Sequence, residues 1–445
     1  MKKYCLLMIM SAMIYGAEGF GGEAGIGAGM INVNGESKPA LELSLTPEFK
    51  ISKLSVGAKV GLYLGENIPM DVNGDGKSDA KDIDFGIKYL EWDGDVVKFR
   101  YGTFDRYTLG QGTLVYNYSN NEKTSLGLGL KDPNNKVGAE VFFPLEKDIF
   151  GAKIDEKDQP KAMGARAFVR PLQYMNVNVP IVKNLELGLT YAEDIREKYN
   201  AIDIDGSFEK KVGSNELKEY SGKVKAFAYE VSMPVIEDKL VPYYNRVQLS
   251  AERDILEDGS TGKNSADLSG DFLGVMGKVS VLNYKLEYRN IDYGLTPGYF
   301  GKLYEVKYNQ NMERALKSAD ERISGYFGQM GANLGGVVNL DASYEDYDKD
   351  DIKPHVTGQM DLVLSKKLQA KLSYDQMNLG SELHKDKYLN EDTVIKANIT
   401  APAALIGIPG PVTANINIKQ NYNYNEAKGK YEPTRVYSLG LALTF

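Results

Sequence analysis

Hydrophobic and polar residues alternate one by one along much of the chain. The clearest run is Leu54–Leu64, in which Leu, Val and Ala alternate with Ser, Gly, Lys and Tyr over eleven residues. A period of two is typical of a β-strand with one apolar and one polar face. Similar runs recur at residues 41–46, 185–191, 282–289, 368–375 and 412–419. The pattern predicts an all-β fold, and a soluble two-sheet sandwich alternates in the same way.

The connections between these runs differ in length. Short turns at residues 93–95, 132–136 and 365–367 alternate with long polar stretches at residues 66–82, 105–123, 146–161, 196–219 and 254–267. Short turns on one side and long loops on the other are typical of transmembrane β-barrels of the bacterial outer membrane. We therefore predict an antiparallel up-and-down barrel of about 18–20 strands, with long external loops and short periplasmic turns. Its first strand is expected near residues 21–33.

The N-terminal residues predict export. Lys2 and Lys3 precede an apolar stretch at residues 4–14, and Gly16, Ala17 and Gly19 follow it. This arrangement is typical of a secretory signal peptide, which we place at residues 1–19, with the barrel at residues 20–445. The net charge of -8 argues against a nucleic-acid partner. A mean hydropathy of -0.36 is compatible with a barrel, because only alternate strand residues face lipid.

Two stretches resemble known proteins. The spacing Ser438-x-Gly440-x-x-Leu443-x-Phe445 resembles the C-terminal signal by which the assembly machinery of Gram-negative outer membranes recognises β-barrel proteins. Residues 99–120, with Tyr107-Thr-Leu-Gly-Gln-Gly112 at their centre, are similar to outer-membrane barrels of spirochaetes and related lineages. The whole mature chain resembles porin-like proteins in architecture. These resemblances imply location in the bacterial outer membrane and contact with its lipid.

One loop has the spacing of a calcium site. Within residues 66–82, oxygen donors occupy positions 1, 3, 5, 9 and 12 of a twelve-residue loop, a glycine occupies position 6, and a backbone carbonyl is available at position 7. The candidate Ca²⁺ ligands are Asp71, Asn73, Asp75, Lys77 through its carbonyl, Asp79 and Asp82. The loop resembles those of EF-hand and dockerin-like modules, but it ends in Asp where the EF-hand has Glu. The alternative is an acidic, solvated loop.

The sequence gives little support for a catalytic site. His355 and His384 lie near polar loops, and neither accompanies a recognisable nucleophile pattern. A hydrolytic site built on Asp350, Asp351 and His355 is not expected, so we predict no enzymatic activity and no catalytic residues.

Two functions remain open from the sequence. The first is a porin-like channel for passive diffusion of small hydrophilic solutes, with a homotrimer as one expected assembly. The second is a barrel that anchors adhesive or interaction loops at the cell surface. A periplasmic plug domain is not expected, because predicted strands begin within about ten residues of the signal. The polar face carries both signs of charge, at Lys59, Lys285, Arg289, Lys371, Lys419, Glu42, Glu186, Glu287 and Asp375.

A pore of 18 to 20 strands is wider than inward side chains can fill. Residues 290–321 are expected to fold inward and narrow it, because they form the longest connection and are rich in aromatic residues. The alternative is an additional strand at residues 299–310. Helical propensity is expected only at residues 312–322.

Overall fold

The structure is a computed structural model. It describes residues 20–33, 36–64, 84–104, 106–120, 123–147, 153–154, 159–175, 177, 179, 181–194, 199–201, 218–236, 238–257, 260–301, 304–316, 321–349, 352–365, 368–376, 379, 393–402, 404, 412–425 and 430–444. The signal-peptide prediction, the 66–82 loop, His384 and Phe445 lie outside the described residues.

Strands dominate the described residues. In chain order they are β1 (Phe20–Val33), β2 (Glu36–Ile51), β3 (Leu54–Leu64), β4 (Asp84–Asp93), β5 (Val97–Gly102), β6 (Val115–Tyr116), β7 (Ser125–Lys131), β8 (Val137–Pro144), β9 (Ala162–Val169), β10 (Glu186–Asp194), β11 (Tyr199–Ala201), β12 (Lys218–Ser232), β13 (Val241–Glu257), β14 (Ser260–Val279), β15 (Leu282–Asp292), β16 (Phe300–Gly301), β17 (Arg322–Leu334), β18 (Val338–Tyr347), β19 (His355–Ser365), β20 (Leu368–Gln376), β21 (Thr393–Pro402), β22 (Val412–Asn425) and β23 (Lys430–Thr444).

Helices are few among the described residues. They are α1 (Pro171–Tyr174), α2 (Tyr304–Leu316) and a single 3₁₀ turn at Val182–Asn184. Helix α2 spans 13 residues, and none of the helices in the described ranges has the length and apolar character required to cross a membrane.

The predicted all-β, antiparallel fold is confirmed. The alternating run at Leu54–Leu64 is strand β3, and the runs at residues 368–375 and 412–419 lie in β20 and β22. Two short elements, β6 and β16, pair only with each other, and β10 and β11 both pair with β12. With β10 and β11 counted as one and the short pair set aside, the described residues contain 20 strands. The predicted total of about 18–20 strands in a barrel stays a prediction.

One predicted long loop is wrong. Residues 254–267 were expected to form a polar connection, but β13 continues to Glu257 and β14 begins at Ser260. Polar residues can occupy a strand wherever its backbone groups pair with a neighbour, so the loss of apolar alternation did not end these strands.

The chain forms two compact units. The first contains the described residues within 1–91, 276–286 and 325–445. In this unit each strand pairs antiparallel with the next in sequence from β17 to β23, and likewise from β1 to β3. Strand β23 also pairs with β1, with Thr444 opposite Glu23 and Leu439 opposite Ala28.

The second unit contains the described residues within 92–275 and 287–324. Strands β5, β7, β8, β9, β10, β12 and β13 pair antiparallel in that order. Two connections of this unit pack against one face of its strands, and we call residues 103–124 the first insert and residues 293–321 the second insert. The core of the unit lies between the inserts and this face.

Candidate functional site

On β10 and in the second half of β12 the two faces of the strand have opposite chemistry, whereas on β13 Val247 and Leu249 are buried and Arg246 is exposed. On β10 and β12 the apolar residues are exposed: Leu189 is 44 % exposed and Tyr229 is 49 % exposed. The charged and small residues on the other face are buried, and Glu230 is only 4 % exposed. A water-soluble sheet buries its apolar face, so this distribution is inverted with respect to an ordinary core.

The inserts cover the polar face and supply the large buried side chains. Tyr118 stacks on Phe142 of β8 with ring centroids 4.9 Å apart, and Phe104 lies 6.2 Å from the same ring. Gly127 and Gly164 leave room for these rings, because a Cβ at Gly127 would approach Phe104 and one at Gly164 would approach Phe142. The first insert is therefore seated in a hollow that small strand residues create.

The side chain of Asn120 links the two ends of the first insert by hydrogen bonds. Its Oδ1 accepts a hydrogen bond from the backbone N–H of Phe104 at 2.9 Å, and its Nδ2 donates to the carbonyls of Gly102 and Lys123 and to the Ser125 hydroxyl at 3.0, 2.8 and 3.1 Å. The side chain is fully buried. These bonds join the two ends of the insert, so its conformation is fixed where it leaves and re-enters the strands.

The second insert is held by the first. The backbone N–H of Gly298 donates to the carbonyl of Thr113 at 2.8 Å, and that of Phe300 donates to Leu114 at 3.1 Å. Phe300 lies opposite Val115 in the short parallel pair of β6 and β16. The rings of Tyr299, Phe300 and Tyr304 form one buried aromatic cluster with centroids 4.7 to 5.7 Å apart.

The start of α2 is fixed to the strands by two side chains. The Tyr304 hydroxyl donates to Asp194 of β10 at 2.6 Å. The Glu305 carboxylate accepts from the Tyr118 hydroxyl at 2.8 Å and from the backbone N–H groups of Lys161 and Ala162 at 3.1 Å. One carboxylate thus joins the second insert, the first insert and the beginning of β9.

The expected inward folding of residues 290–321 is consistent with this packing, whereas the strand at residues 299–310 is not observed. In the part of this stretch that the structure describes, the extended backbone is limited to Phe300–Gly301, and α2 begins at Tyr304, eight residues before the predicted helical stretch. Tyr299 and Tyr304, which the alternative places in a strand, pack in the aromatic cluster instead. Tyr308, Lys302 and Lys307 were also expected in the constriction, and their side chains lie outside the described residues.

A network of buried charges lies beneath the first insert. Arg166 of β9 donates to Glu230 at 2.9 Å through Nε and to Glu186 at 2.8 Å through Nη2. Arg170 donates to the other oxygen of Glu186 at 3.0 Å, and the Thr190 hydroxyl donates to Glu230 at 2.6 Å. Each buried carboxylate is paired, which is the condition under which charges are tolerated away from water.

The Tyr107–Gly112 segment of the first insert is seated on this network. Gly110 has φ +59°, and a Cβ at this position would lie 2.3 Å from an oxygen of Glu230. Only glycine therefore allows both the left-handed backbone and the close approach. Burial raises the pKa of Tyr107, and the neighbouring carboxylate of Glu140, to which it is hydrogen-bonded, raises it further.

A second buried group lies further along the polar face. Arg289 donates to Glu287 through Nε at 2.9 Å and through Nη2 at 2.6 Å, and the Tyr243 hydroxyl donates to the same carboxylate at 2.7 Å. Nearby, the amide of Asn245 donates to the Thr113 hydroxyl at 3.2 Å. Glu287, Arg289 and Glu186 were predicted on the polar face, and the structure places them there.

In the first unit the polar face carries its own contacts. Gln329 of β17 donates to Asp341 of β18 at 3.0 Å, and Lys371 of β20 lies 4.0 Å from Asp361 of β19. His355 contacts Asp375 through Nε2 at 3.0 Å. Asp350 and Asp351 lie outside the described residues, and so does the whole predicted calcium loop. Among the described residues no cluster of three acidic, His or Cys side chains is arranged to hold a metal ion.

No protein-family model matches the chain, and no curated protein matches its sequence. Among solved structures, the ferric citrate transporter FecA is similar at 11 % identity with a TM-score of 0.41, over 96 % of this chain and 79 % of that one. The siderophore receptor PiuA from Acinetobacter baumannii is similar at 12 % identity with a TM-score of 0.40, over 96 % of this chain and 82 % of that one. The copper transporter OprC is similar at 11 % identity with a TM-score of 0.39, over 97 % of this chain and 81 % of that one.

These similarities are too weak to transfer a ligand or a mechanism to this chain. The chain's own structure contains paired buried charges, and the sequence analysis named only some of the residues that form them. One feature of the sequence could have indicated Glu230, Arg166 and Asp194. Each is a charged residue at a strand position that faces the polar side. Their mutual contacts depend on strand register, which the alternation of residues alone does not determine.

Proposed function

We propose that the protein is an outer-membrane channel through which small hydrophilic solutes diffuse, with a pore narrowed by the two inserts. The chain resides in the outer membrane of a Gram-negative cell as an antiparallel barrel whose apolar strand face contacts lipid. The assembly machinery recognises its C-terminal strand. The proposal includes no enzymatic step and no nucleic-acid partner.

The inverted faces of the strands carry this proposal. In the second unit Leu189 and Tyr229 are exposed while Glu230 and Arg166 are buried. In the first unit Met330 is 61 % exposed on one face of β17. Its neighbour Gln329 lies on the other face and donates a hydrogen bond to Asp341 there. Exposing apolar side chains along whole strands is costly in water and favourable in lipid.

The strand order supports a closed barrel. Strand β23 pairs with β1, which leaves neither terminal strand of the first unit with an unpaired edge. An even number of strands is the rule for bacterial barrels with both termini in the periplasm. The described residues contain 20 strands when β10 and β11 are counted as one and the short pair of β6 and β16 is set aside.

Channel function is tested by reconstitution. Purified, refolded protein in planar bilayers is expected to produce discrete conductance steps, and liposomes containing it are expected to admit small sugars but exclude larger ones. The size limit follows from the inserts, which occupy space that strand side chains of a wide barrel cannot fill. Bilayers that remain silent, with protein shown to be folded by its heat-modifiable gel mobility, would overturn the proposal.

The alternative is a barrel that anchors interaction loops, and one observation favours it. The inserts bury large aromatic side chains such as Tyr118, Tyr299 and Phe300, so the part of the polar face beneath them is packed with side chains. An anchor of this kind would give no conductance and would still bind a surface partner. The bilayer experiment therefore separates the two functions.

A further inference from the structure

The exposed apolar face of the second unit is interrupted at β13. Strands β10, β12 and β13 form cross-strand rows, and directly opposite residues share one face of a sheet. One exposed row runs from Leu189 through Tyr229 to Arg246, and the rows on either side of it end in Tyr244 and Gln248. Arg246 therefore lies at the same level along the strands at which β10 and β12 expose apolar side chains.

Arg246 belongs to a charged cluster that continues onto the following strands. It lies 3.3 Å from an oxygen of Asp271 on β14, and Arg322 at the start of β17 donates to the other oxygen at 3.0 Å. Arg322 also donates to the side-chain oxygen of Asn290 at 2.8 Å and lies 3.8 Å from Asp292. We call these five residues the charged seam.

The charged seam lies on the exposed face and has apolar neighbours there. The side chains of Arg246 and Arg322 are 46 % and 38 % exposed. On β14 and β15 the same face carries Leu273, which is 59 % exposed, and Tyr288, which is 40 % exposed. The seam is thus a polar gap within an apolar surface.

Lipid hydrocarbon is a poor partner for such a gap. Charges on the lipid face destabilise a membrane barrel, and charged residues within membranes face protein or water or pair with one another. Pairing inside the seam lowers that cost, but both guanidinium groups remain partly exposed. A polar partner therefore fits the gap better than lipid tails do.

The charge balance of the seam favours a protein partner over an anionic lipid. Anionic headgroups are recognised by clusters of Lys and Arg. The seam has two Arg and two Asp, so its charges cancel. A surface with both charges side by side is complementary to a second copy of itself.

We infer that the charged seam is the contact surface for a second copy of this chain, related to the first by a two-fold axis along the membrane normal. Arg246 and Asp271 lie side by side in one chain, so an axis that passes between them places Arg246 of each copy opposite Asp271 of the other. Both copies keep the same orientation in the membrane. The inference rests on the proposed barrel, whose apolar face contacts lipid, and adds a partner to it.

Charge reversal and its complementation test this contact. Light scattering on the full chain, refolded in a non-ionic detergent, is expected to give the mass of two chains. R246D alone and D271R alone place like charges opposite each other across the axis, and each is expected to associate roughly tenfold more weakly or worse. An equimolar mixture of the two variants restores opposite charges at both contacts and is expected to recover the two-chain particle.

Recovery in the mixture has a meaning that stability alone does not. The internal pair of residues 246 and 271 stays broken in both variants, so recovery requires a contact between chains. The matched control is K98D, because Lys98 lies on β5 away from the seam and its side chain is 65 % exposed. K98D is expected to form the same two-chain particle as the wild type.

A crosslinking measurement keeps the seam charges intact, in case a charge-reversal variant does not fold. Cys5 is the single cysteine of the sequence, so C5S provides a background without thiols. Gln248 is exposed on β13, two residues from Arg246. In lipid vesicles, Q248C on this background is expected to be joined to a second copy by a short bismaleimide. L189C, two strands away in the row of Arg246, is expected to remain a single chain.

The outcomes separate this inference from the proposed channel. Wild-type particles of a single chain, with or without bound lipid, overturn the inference, and so does equal crosslinking of Q248C and L189C. Undiminished association of R246D, or no recovery in a mixture of two folded variants, overturns it as well. Single chains that conduct overturn the contact and leave the channel, whereas silent bilayers with Arg246-dependent pairing overturn the channel and leave the contact.

Discussion

Gly110 is the residue at which the first insert comes nearest to the buried charges. Its backbone is left-handed, with φ +59°, and the Glu230 carboxylate occupies the space where a Cβ would lie. Gly110→Ala is expected to lower the free energy of unfolding by roughly 2 to 5 kcal/mol, the sum of backbone strain and overpacking. Denaturant unfolding in detergent micelles measures the change.

Gly335 provides the matched control for this substitution. It has φ +63°, and no atom lies within 4 Å of the position that a Cβ would take. Gly335→Ala therefore introduces the backbone strain alone, about 1 to 2 kcal/mol. Equal losses of stability in the two variants would show that the contact between Gly110 and Glu230 contributes nothing.

The side chain of Glu305 joins both inserts to the beginning of β9. Glu305→Gln keeps its size but removes the charge that strengthens three hydrogen bonds, from the Tyr118 hydroxyl and two backbone N–H groups. We expect roughly 1 to 3 kcal/mol less protection of α2 in hydrogen exchange. Asp238→Asn, at an exposed turn position, is the control and should leave that exchange unchanged.

At the scale of the strand, the two faces are expected to respond differently to the same charge. Met330 and Gln329 are adjacent on β17; Met330 is 61 % exposed on the apolar face, and Gln329 bonds to Asp341. Met330→Arg is expected to cost roughly 2 to 4 kcal/mol if the residue lies at mid-bilayer depth, and less near the interface. Gln329→Arg should be tolerated because it gains an acidic partner.

Unfolding of the two variants in lipid vesicles provides the comparison. A larger loss of stability in Gln329→Arg than in Met330→Arg would reverse the assignment of the lipid face.

Strands were predictable from the sequence where alternation is strong, as at Leu54–Leu64 and in β20. They were missed at residues 254–267, where β13 extends to Glu257 and β14 begins at Ser260 although the residues are mostly polar. Helix α2 was only partly anticipated, because its first half, from Tyr304, has β-forming aromatic residues and is helical through its tertiary contacts. The calcium site in the loop at residues 66–82 remains a prediction made from the spacing of its oxygen donors.

At the scale of the whole molecule, the sequence predicted the antiparallel all-β fold, while the total number of strands and the inward folding of residues 290–321 stay predictions. It did not predict the first insert as a partner of the second, although residues 99–120 stood out as a resemblance. The contact of Phe300 with the Val115 strand joins segments about 185 residues apart. No periodicity within either segment encodes that pairing.

The two inserts together are the element by which the proposed channel differs from an open pore. Removing residues 298–318 deletes the whole of α2 and the aromatic cluster of Tyr299, Phe300 and Tyr304, and leaves the flanking strands β15 and β17 intact. A short Gly-Ser linker joins the ends.

Single-channel conductance of this deletion variant in planar bilayers, beside that of the wild type, tests the account most directly. The account predicts conductance steps in the wild type and larger steps in the variant, with both proteins folded by heat-modifiable gel mobility. Steps of the same size in the two folded proteins, or no steps in either, would contradict a pore narrowed by the inserts.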